Sequence, residues 1–171
     1  MRRKFLLAAT LAASIAPIAL VPRTAQAHGD KVTMSESFMP GTIVVRTNER
    51  RLYYVIGGGE AIRYPVGVGR AGKQWSGTAY INGKYIKPDW APPAVVRHDH
   101  PNLPKVVPGG SPRNPMGVAA MSLSVGEYAI HGTNQPGSIG NFVSYGCIRM
   151  FNEDIKDLYS RVSVGTRVVV Q

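Results

Sequence analysis

From Gly41 onward, apolar and polar residues alternate in short runs rich in β-branched and aromatic side chains, the pattern of half-buried strands. Residues 42–47, 52–56 and 61–68 each read as a strand, and Gly57-Gly58-Gly59 between the last two supplies a tight turn. Residues 76–81 and 84–86 continue the pattern, with Asn82-Gly83 as a hairpin turn signal. Residues 118–123, 128–130 and 167–170 complete the set. One segment changes period. Ile155, Leu158, Tyr159 and Val162 share one helical face, Asn152 is placed to cap it, Glu153 and Asp154 put negative charge in its first turn, and Gly165 ends it. The expected fold is therefore mainly β: a sandwich or barrel of mixed, mostly antiparallel short strands with one helix near its end.

Residues 88–115 fit neither period. Eight prolines fall between Pro88 and Pro115 (Pro88, Pro92, Pro93, Pro101, Pro104, Pro108, Pro112 and Pro115), which rules out a central strand. A segment this long is either a lid or binding loop, or an excursion packed on the sheet.

The N-terminus carries a different signal. Met1-Arg2-Arg3-Lys4 is positive, residues 5–20 are apolar, and Ala25-Gln26-Ala27 is a small-residue cleavage pattern. Residues 1–27 read as a removable signal peptide. Their apolar run is short and interrupted by Pro17 and Pro22, so no transmembrane anchor is expected after processing. The Arg2-Arg3 pair also fits a twin-arginine leader, although the Sec route is the simpler reading. Export to the periplasm or cell envelope follows, with residues 28–40 as a short leader and 41–171 as one folded domain.

Composition adds two constraints. The formal net charge is +10, from 20 Lys and Arg against 10 Asp and Glu, which suits an anionic envelope surface. Nucleic acid is not an expected partner of an exported chain. There is one cysteine, Cys147, so no internal disulfide can form. A single thiol in an oxidising compartment is either an inert buried residue or a reactive one.

The surroundings of Cys147 favour reactivity. Residues 128–151 read YAIHGTNQPGSIGNFVSYGCIRMF. A strand delivers His131, a glycine-bearing loop follows, and Cys147 stands just before the helix. Thiol acyl transfer needs a thiolate, an imidazole to take the proton, and backbone N–H groups facing the developing oxyanion. Gly146 permits a close, donor-rich turn before the nucleophile, and Arg149 is positioned to bind a carboxylate.

These motifs resemble the YkuD-type L,D-transpeptidase family. His131-Gly132-Thr133 and Ser144-x-Gly146-Cys147-Ile148-Arg149 match its two signature segments. Residues 64–69 (YPVGVG), 88–93 (PDWAPP) and 114–117 (NPMG) match its upstream motifs in order. The resemblance implies a catalytic domain over residues 41–171 and no cofactor or metal. It implies Cys147 as nucleophile, His131 as base, and the Gly132 carbonyl orienting the imidazole. It further implies oxyanion donors near Tyr145 and Gly146, and stem-peptide contacts from Arg149, Ser144 and Thr133. The substrates would be peptidoglycan stem peptides: a tetrapeptide donor that loses D-Ala, and an amine acceptor. That acceptor would be a second stem, an envelope protein or a free D-amino acid. Hydrolysis on the same fold and a non-enzymatic wall-binding module are the alternatives; sortase and papain-like orders of Cys and His fit the spacing less well. Two positions depart from the pattern. Tyr145 stands where the family has His, and Trp75-Ser76-Gly77-Thr78 stands where it has TPxG, by analogy near the substrate groove.

Two weaker signals lead elsewhere. Residues 67–72 match GxGxxG, but no helix follows to bind a pyrophosphate. His98-Asp99-His100 lacks a third ligand nearby, so a polar loop pair is the simpler reading.

Overall fold

The computed structural model describes residues 29–171. The segment read as a signal peptide lies outside the described residues. Strands β1 (Asp30–Thr33), β2 (Ile43–Arg46), β3 (Arg51–Gly57) and β4 (Glu60–Pro65) come first, then the short β5 (Val68–Gly69) and the long β6 (Gly77–Ile86). Helix α1 (Ala94–Asp99) interrupts the proline-rich stretch. Strands β7 (Ala119–Leu123), β8 (Ala129–His131), β9 (Phe142–Ser144) and β10 (Ile148–Arg149) follow, then α2 (Asn152–Arg161) and β11 (Arg167–Val170). Nine strands form one continuous sheet in the order β1-β4-β3-β2-β11-β6-β7-β8-β10, and β5 pairs with β9. The pairs β2–β11, β8–β10 and β5–β9 are parallel and the others antiparallel, as expected for a mixed, mostly antiparallel fold.

The sheet folds on itself through β6. Its first half pairs with β11 and its second half with β7. Where it changes partner, the register shifts between Ile81 and Gly83. The Asn82-Gly83 pair therefore marks a bulge, and the hairpin expected there does not form. Tertiary contacts explain this: Asn82 Oδ1 accepts the Ser122 hydroxyl, and the Tyr85 ring and Ser122 close over Gly83, where a Cβ has no room. On the far side, Gly67 and Arg149 exchange backbone hydrogen bonds of 2.9 and 2.8 Å, tying the segment after β4 to β10.

Ile43, Val45, Leu52, Tyr64, Met121, Ile130, Ile148, Ile155 and Leu158 lie in one buried cluster between the folded halves and α2. Each such side chain contributes about 2 kcal/mol on leaving water. A second cluster of Met34, Val44, Tyr53, Val55 and Ala61 covers the outer face of β2 and β3, with Phe38 packed on it. The leader is thus ordered: β1 pairs with β4 and Met34 is buried.

Helix α2 begins one residue from its expected cap. Phe151 occupies the cap position, and the Asn152 side chain reaches sideways to the chain instead. At the other end, Lys84 Nζ donates to the carbonyls of Tyr159 and Val162 at 2.8 and 2.6 Å, satisfying acceptors the helix leaves open. The proline-rich stretch is knotted by buried Asn114, whose amide donates to the carbonyls of Pro88, Val107 and Pro108. Its six-residue helix was not expected, because the surrounding prolines mask so short an element. Among the described residues, no helix is long and apolar enough to cross a membrane.

Candidate active site

Strands β8 and β10 run parallel, with Ile148 opposite Ile130 and Arg149 opposite His131. Side chains alternate between sheet faces, so His131 and Arg149 share a face. Cys147, two residues before Arg149, faces the same way. All three open into one cavity of about 280 Å³.

His131 is 4% exposed, and its Nδ1 lies 2.6 Å from the Gly132 carbonyl. A carbonyl only accepts, so Nδ1 carries the proton and Nε2 keeps a free lone pair. Burial and then the Arg149 charge hold the imidazole pKa down at about 4, against the opposing pull of the Gly132 and Pro115 carbonyls. Burial also raises the Cys147 thiol, opposed by the Ala129 backbone donor and Arg149. Both shifts favour a neutral thiol beside a neutral imidazole at rest. A standing ion pair between the two is disfavoured. Burial lowers the Arg149 guanidinium, and among the described residues its Nε has no hydrogen-bond partner. Among the described residues Arg149 forms no ion pair, so a carboxylate in the cavity would supply the missing partner.

The turn before Cys147 is held from several directions. Ser144 Oγ accepts the Gly146 N–H at 3.1 Å and donates to the Cys147 carbonyl at 2.6 Å. Gly146 has a φ of 121°, and a Cβ there would lie 2.4 Å from Tyr128. The Tyr128 ring stacks on Trp75 at 5.2 Å, and Trp75 Nε1 donates to the Gly146 carbonyl at 3.0 Å. Three of the expected residues are placed as follows. The Gly146 N–H is taken by Ser144, which leaves the N–H groups of Tyr145 and Cys147 as the ones without a protein acceptor among the described residues. Ser144 borders the cavity and spends its hydroxyl on the turn. Thr133 lies outside this cavity. Its hydroxyl accepts the Gln135 N–H at 3.0 Å, and it borders a separate depression with Asn134 and Asn152.

The His131 loop is seated by α2. Asn152 Oδ1 accepts the N–H groups of Thr133 and Val118 at 3.0 and 3.4 Å. A Cβ on Gly132 would lie 2.4 Å from that oxygen, and one on Gly117 2.3 Å from it. The glycines of the HG and NPMG motifs therefore admit Asn152.

The proline-rich stretch forms one wall of the cavity through Trp90, Pro93, Val95 and Val96, so it borders the site as a binding loop would. Pro115 and Met116 extend that apolar wall, while Lys73 and Glu127 add charge at the rim. The wall is tied to the nucleophile turn by Asp99, whose Oδ2 accepts the Tyr145 hydroxyl at 2.7 Å and pairs with Arg70 at 2.8 Å. The Arg70 guanidinium also lies over the Tyr145 ring, 4.1 Å from its centre. His98 Nδ1 lies 3.1 Å from the other Asp99 oxygen, so the His98-Asp99 pair serves this surface cluster. Sequence reasoning missed Glu127, Tyr128, Asn152 and Asp99 as parts of the site, whereas Trp90, Pro93, Pro115 and Met116 sat in motifs that pointed to it.

Residues 40–170 match the family profile of the L,D-transpeptidase catalytic domain. The chain belongs to that family. The "Probable L,D-transpeptidase YbiS" of Escherichia coli (strain K12) is 45% identical over 136 residues, 74% of this chain and 43% of that protein. The "Probable L,D-transpeptidase ErfK/SrfK" of Salmonella typhimurium is 40% identical over 159 residues, 85% of this chain and 50% of that protein. The chain spans about half the length of these curated relatives. Among solved structures, L,D-transpeptidase 3 from Mycobacterium tuberculosis superimposes with a TM-score of 0.61 at 17% identity, covering 76% of this chain and 60% of that one. At that identity the likeness speaks for the fold alone. Within the L,D-transpeptidase domain described here, the phenol of Tyr145 is committed to the Asp99 cluster, and His131 is held by the Gly132 carbonyl.

Proposed function

We propose that this chain is an exported cysteine transpeptidase that acts on peptidoglycan stem peptides. The observation that carries this reading is the convergence on one cavity of Cys147, His131 and Arg149, whose Nε has no hydrogen-bond partner among the described residues, beside the parallel pair of β8 and β10. Cys147 Sγ attacks the carbonyl of the residue preceding the terminal D-Ala of a tetrapeptide. His131 Nε2 takes the thiol proton as the C–S bond forms. The oxyanion is held by the N–H groups of Cys147 and Tyr145. The imidazolium then protonates the departing amine, the C–N bond breaks, and D-Ala leaves. An incoming amine attacks the thioester, gives its proton to His131, and expels the thiol to complete the exchange. Arg149 holds a substrate carboxylate, and the apolar wall of Trp90, Val95 and Val96 limits water at the thioester.

A second stem gives a 3→3 cross-link, a protein side chain gives wall attachment, and a free D-amino acid gives exchange. Water gives hydrolysis, the rival outcome on the same fold. A signal peptide over residues 1–27 places the domain in the periplasm or envelope. The test is to incubate the purified mature protein with disaccharide-tetrapeptide and read the products by mass. Dimer or exchanged stem supports transfer, and tripeptide alone supports hydrolysis. Unchanged substrate, with no adduct from a carbapenem at Cys147, would leave a wall-binding module. A faropenem-derived adduct of a Mycobacterium tuberculosis L,D-transpeptidase of this fold makes β-lactams the natural probe.

A further inference from the structure

Trp75 stands at one of the two places where the chain departs from the family pattern, and it lies behind the nucleophile rather than in front of it. It does not border the cavity that holds Cys147. It borders a gap of only about 10 Å³ on the opposite side of the turn, shared with Val45, Val68, Gly146 and Ile148. The expectation that this position lies near the substrate groove is thereby corrected.

We propose that Trp75 is a positioning residue for acyl transfer, which fixes the Cys147 N–H as an oxyanion donor by holding the opposite end of the same peptide group. The proposal rests on the acyl-transfer reading above. The peptide between Gly146 and Cys147 is planar and trans, so its C=O and N–H point in opposite directions. Trp75 Nε1–H holds that carbonyl at 3.0 Å on the far side of the turn. The N–H of Cys147 is thereby turned to the near side, toward the cavity. The indole is itself fixed by stacking on Tyr128, with the two planes 11° apart. Tyr128 in turn packs against Gly146, whose φ of 121° and missing Cβ are what this close approach requires. Neighbouring contacts do not replace this hold. Ser144 engages the peptide before (the Gly146 N–H) and the peptide after (the Cys147 carbonyl), and Trp75 engages the one between. Donors aimed before the reaction cost no reorganisation as the negative charge develops.

Two reactions of the same sulfur separate this role from general support. Acylation by a carbapenem builds an oxyanion: the C–S bond forms, the lactam C–N bond breaks, and the nitrogen takes the proton. Alkylation by iodoacetamide displaces iodide and builds no oxyanion. Trp75→Phe keeps a ring to stack on Tyr128 and removes the N–H donor. Its carbapenem acylation rate, read by intact mass, should fall at least tenfold, with iodoacetamide alkylation within twofold of the unsubstituted protein. Should Trp75→Phe lose its cooperative melt, benzothienylalanine at position 75 keeps the bicyclic shape with sulfur in place of the N–H, and the same split is expected. Equal falls in both reactions would overturn the proposal in favour of general support of the thiol, and an unchanged acylation rate would overturn it outright. Failure of the unsubstituted protein to form any carbapenem adduct would strike the acyl-transfer reading itself, and this inference with it.

Discussion

The Tyr145 hydroxyl donates a 2.7 Å hydrogen bond to Asp99 Oδ2, joining the residue two before Cys147 to the last residue of α1 in the cavity wall. Arg70 completes the cluster from below the ring. The Tyr145 bond, then His98 and Arg70, hold the Asp99 carboxyl well below the usual carboxylate range. Tyr145→Phe and Asp99→Asn are expected to raise the stem-peptide KM about threefold with little change in kcat, because in the proposed reading the wall they tether holds substrate and takes no part in bond making. The double variant should be no worse than either single one, and hydrogen exchange over residues 94–99 should quicken in all three. Tyr145→His keeps the backbone N–H, so its acylation rate should stay within about tenfold.

Cys147→Ala should abolish the carbapenem adduct, and His131→Ala should lower acylation by at least about 10²-fold, the usual worth of a positioned base. Intact-mass kinetics checks both. An acylation rate unaffected by loss of the imidazole would remove His131 from the mechanism.

The resting state can be read from the pH dependence of alkylation. With burial raising the Cys147 thiol and lowering His131, iodoacetamide labelling should climb through an ionisation above that of an ordinary thiol. A stable ion pair would give a plateau near neutral pH. Acyl transfer needs neutral imidazole, so its acid limb should fall near the His131 value of about 4. Arg149 and Glu127 face the same sulfur, and Arg149→Gln should raise the alkylation pKa further.

His131 also links stability to pH. Its folded pKa of about 4 lies below its ordinary value of 6.5, so between the two the unfolded chain binds more protons. Stability should fall as pH drops through that window, by up to about 3 kcal/mol from this residue alone. Urea denaturation at pH 7 and pH 4 measures the loss, and His131→Gln should reduce the difference.

Asn152→Ala should destabilise the domain by about 2 kcal/mol or more, because it strands the N–H groups of Thr133 and Val118. The carbapenem acylation rate of the remaining folded protein should drop as well, since the Asn152 contact seats the loop that carries His131.

Alternation and turn signals were enough to read most strands within a residue or two, and the apolar face of α2 was plain from its spacing. Asn82-Gly83 misled because its local preference for a turn was overridden by a strand that changes partner, with Ser122 and Tyr85 filling the space. Asn152 misled for a related reason: a good cap residue found better use holding two distant N–H groups. The short helix α1 left no readable period, and its neighbours are prolines.

By itself the sequence determined a β-rich fold, a single thiol set close after a histidine, and the glycines and polar residues that make up the two signature segments. These are legible because strand period, turn chemistry and nucleophile motifs are local. Tertiary structure alone decided that the Gly146 N–H is taken by Ser144, that Arg149 Nε has no hydrogen-bond partner among the described residues, and that Trp75 and Asp99 hold the turn around Cys147. Those properties depend on how groups far apart in the chain compete for the same hydrogen bonds and the same buried space, and that competition exists only once the sheet has folded over on itself.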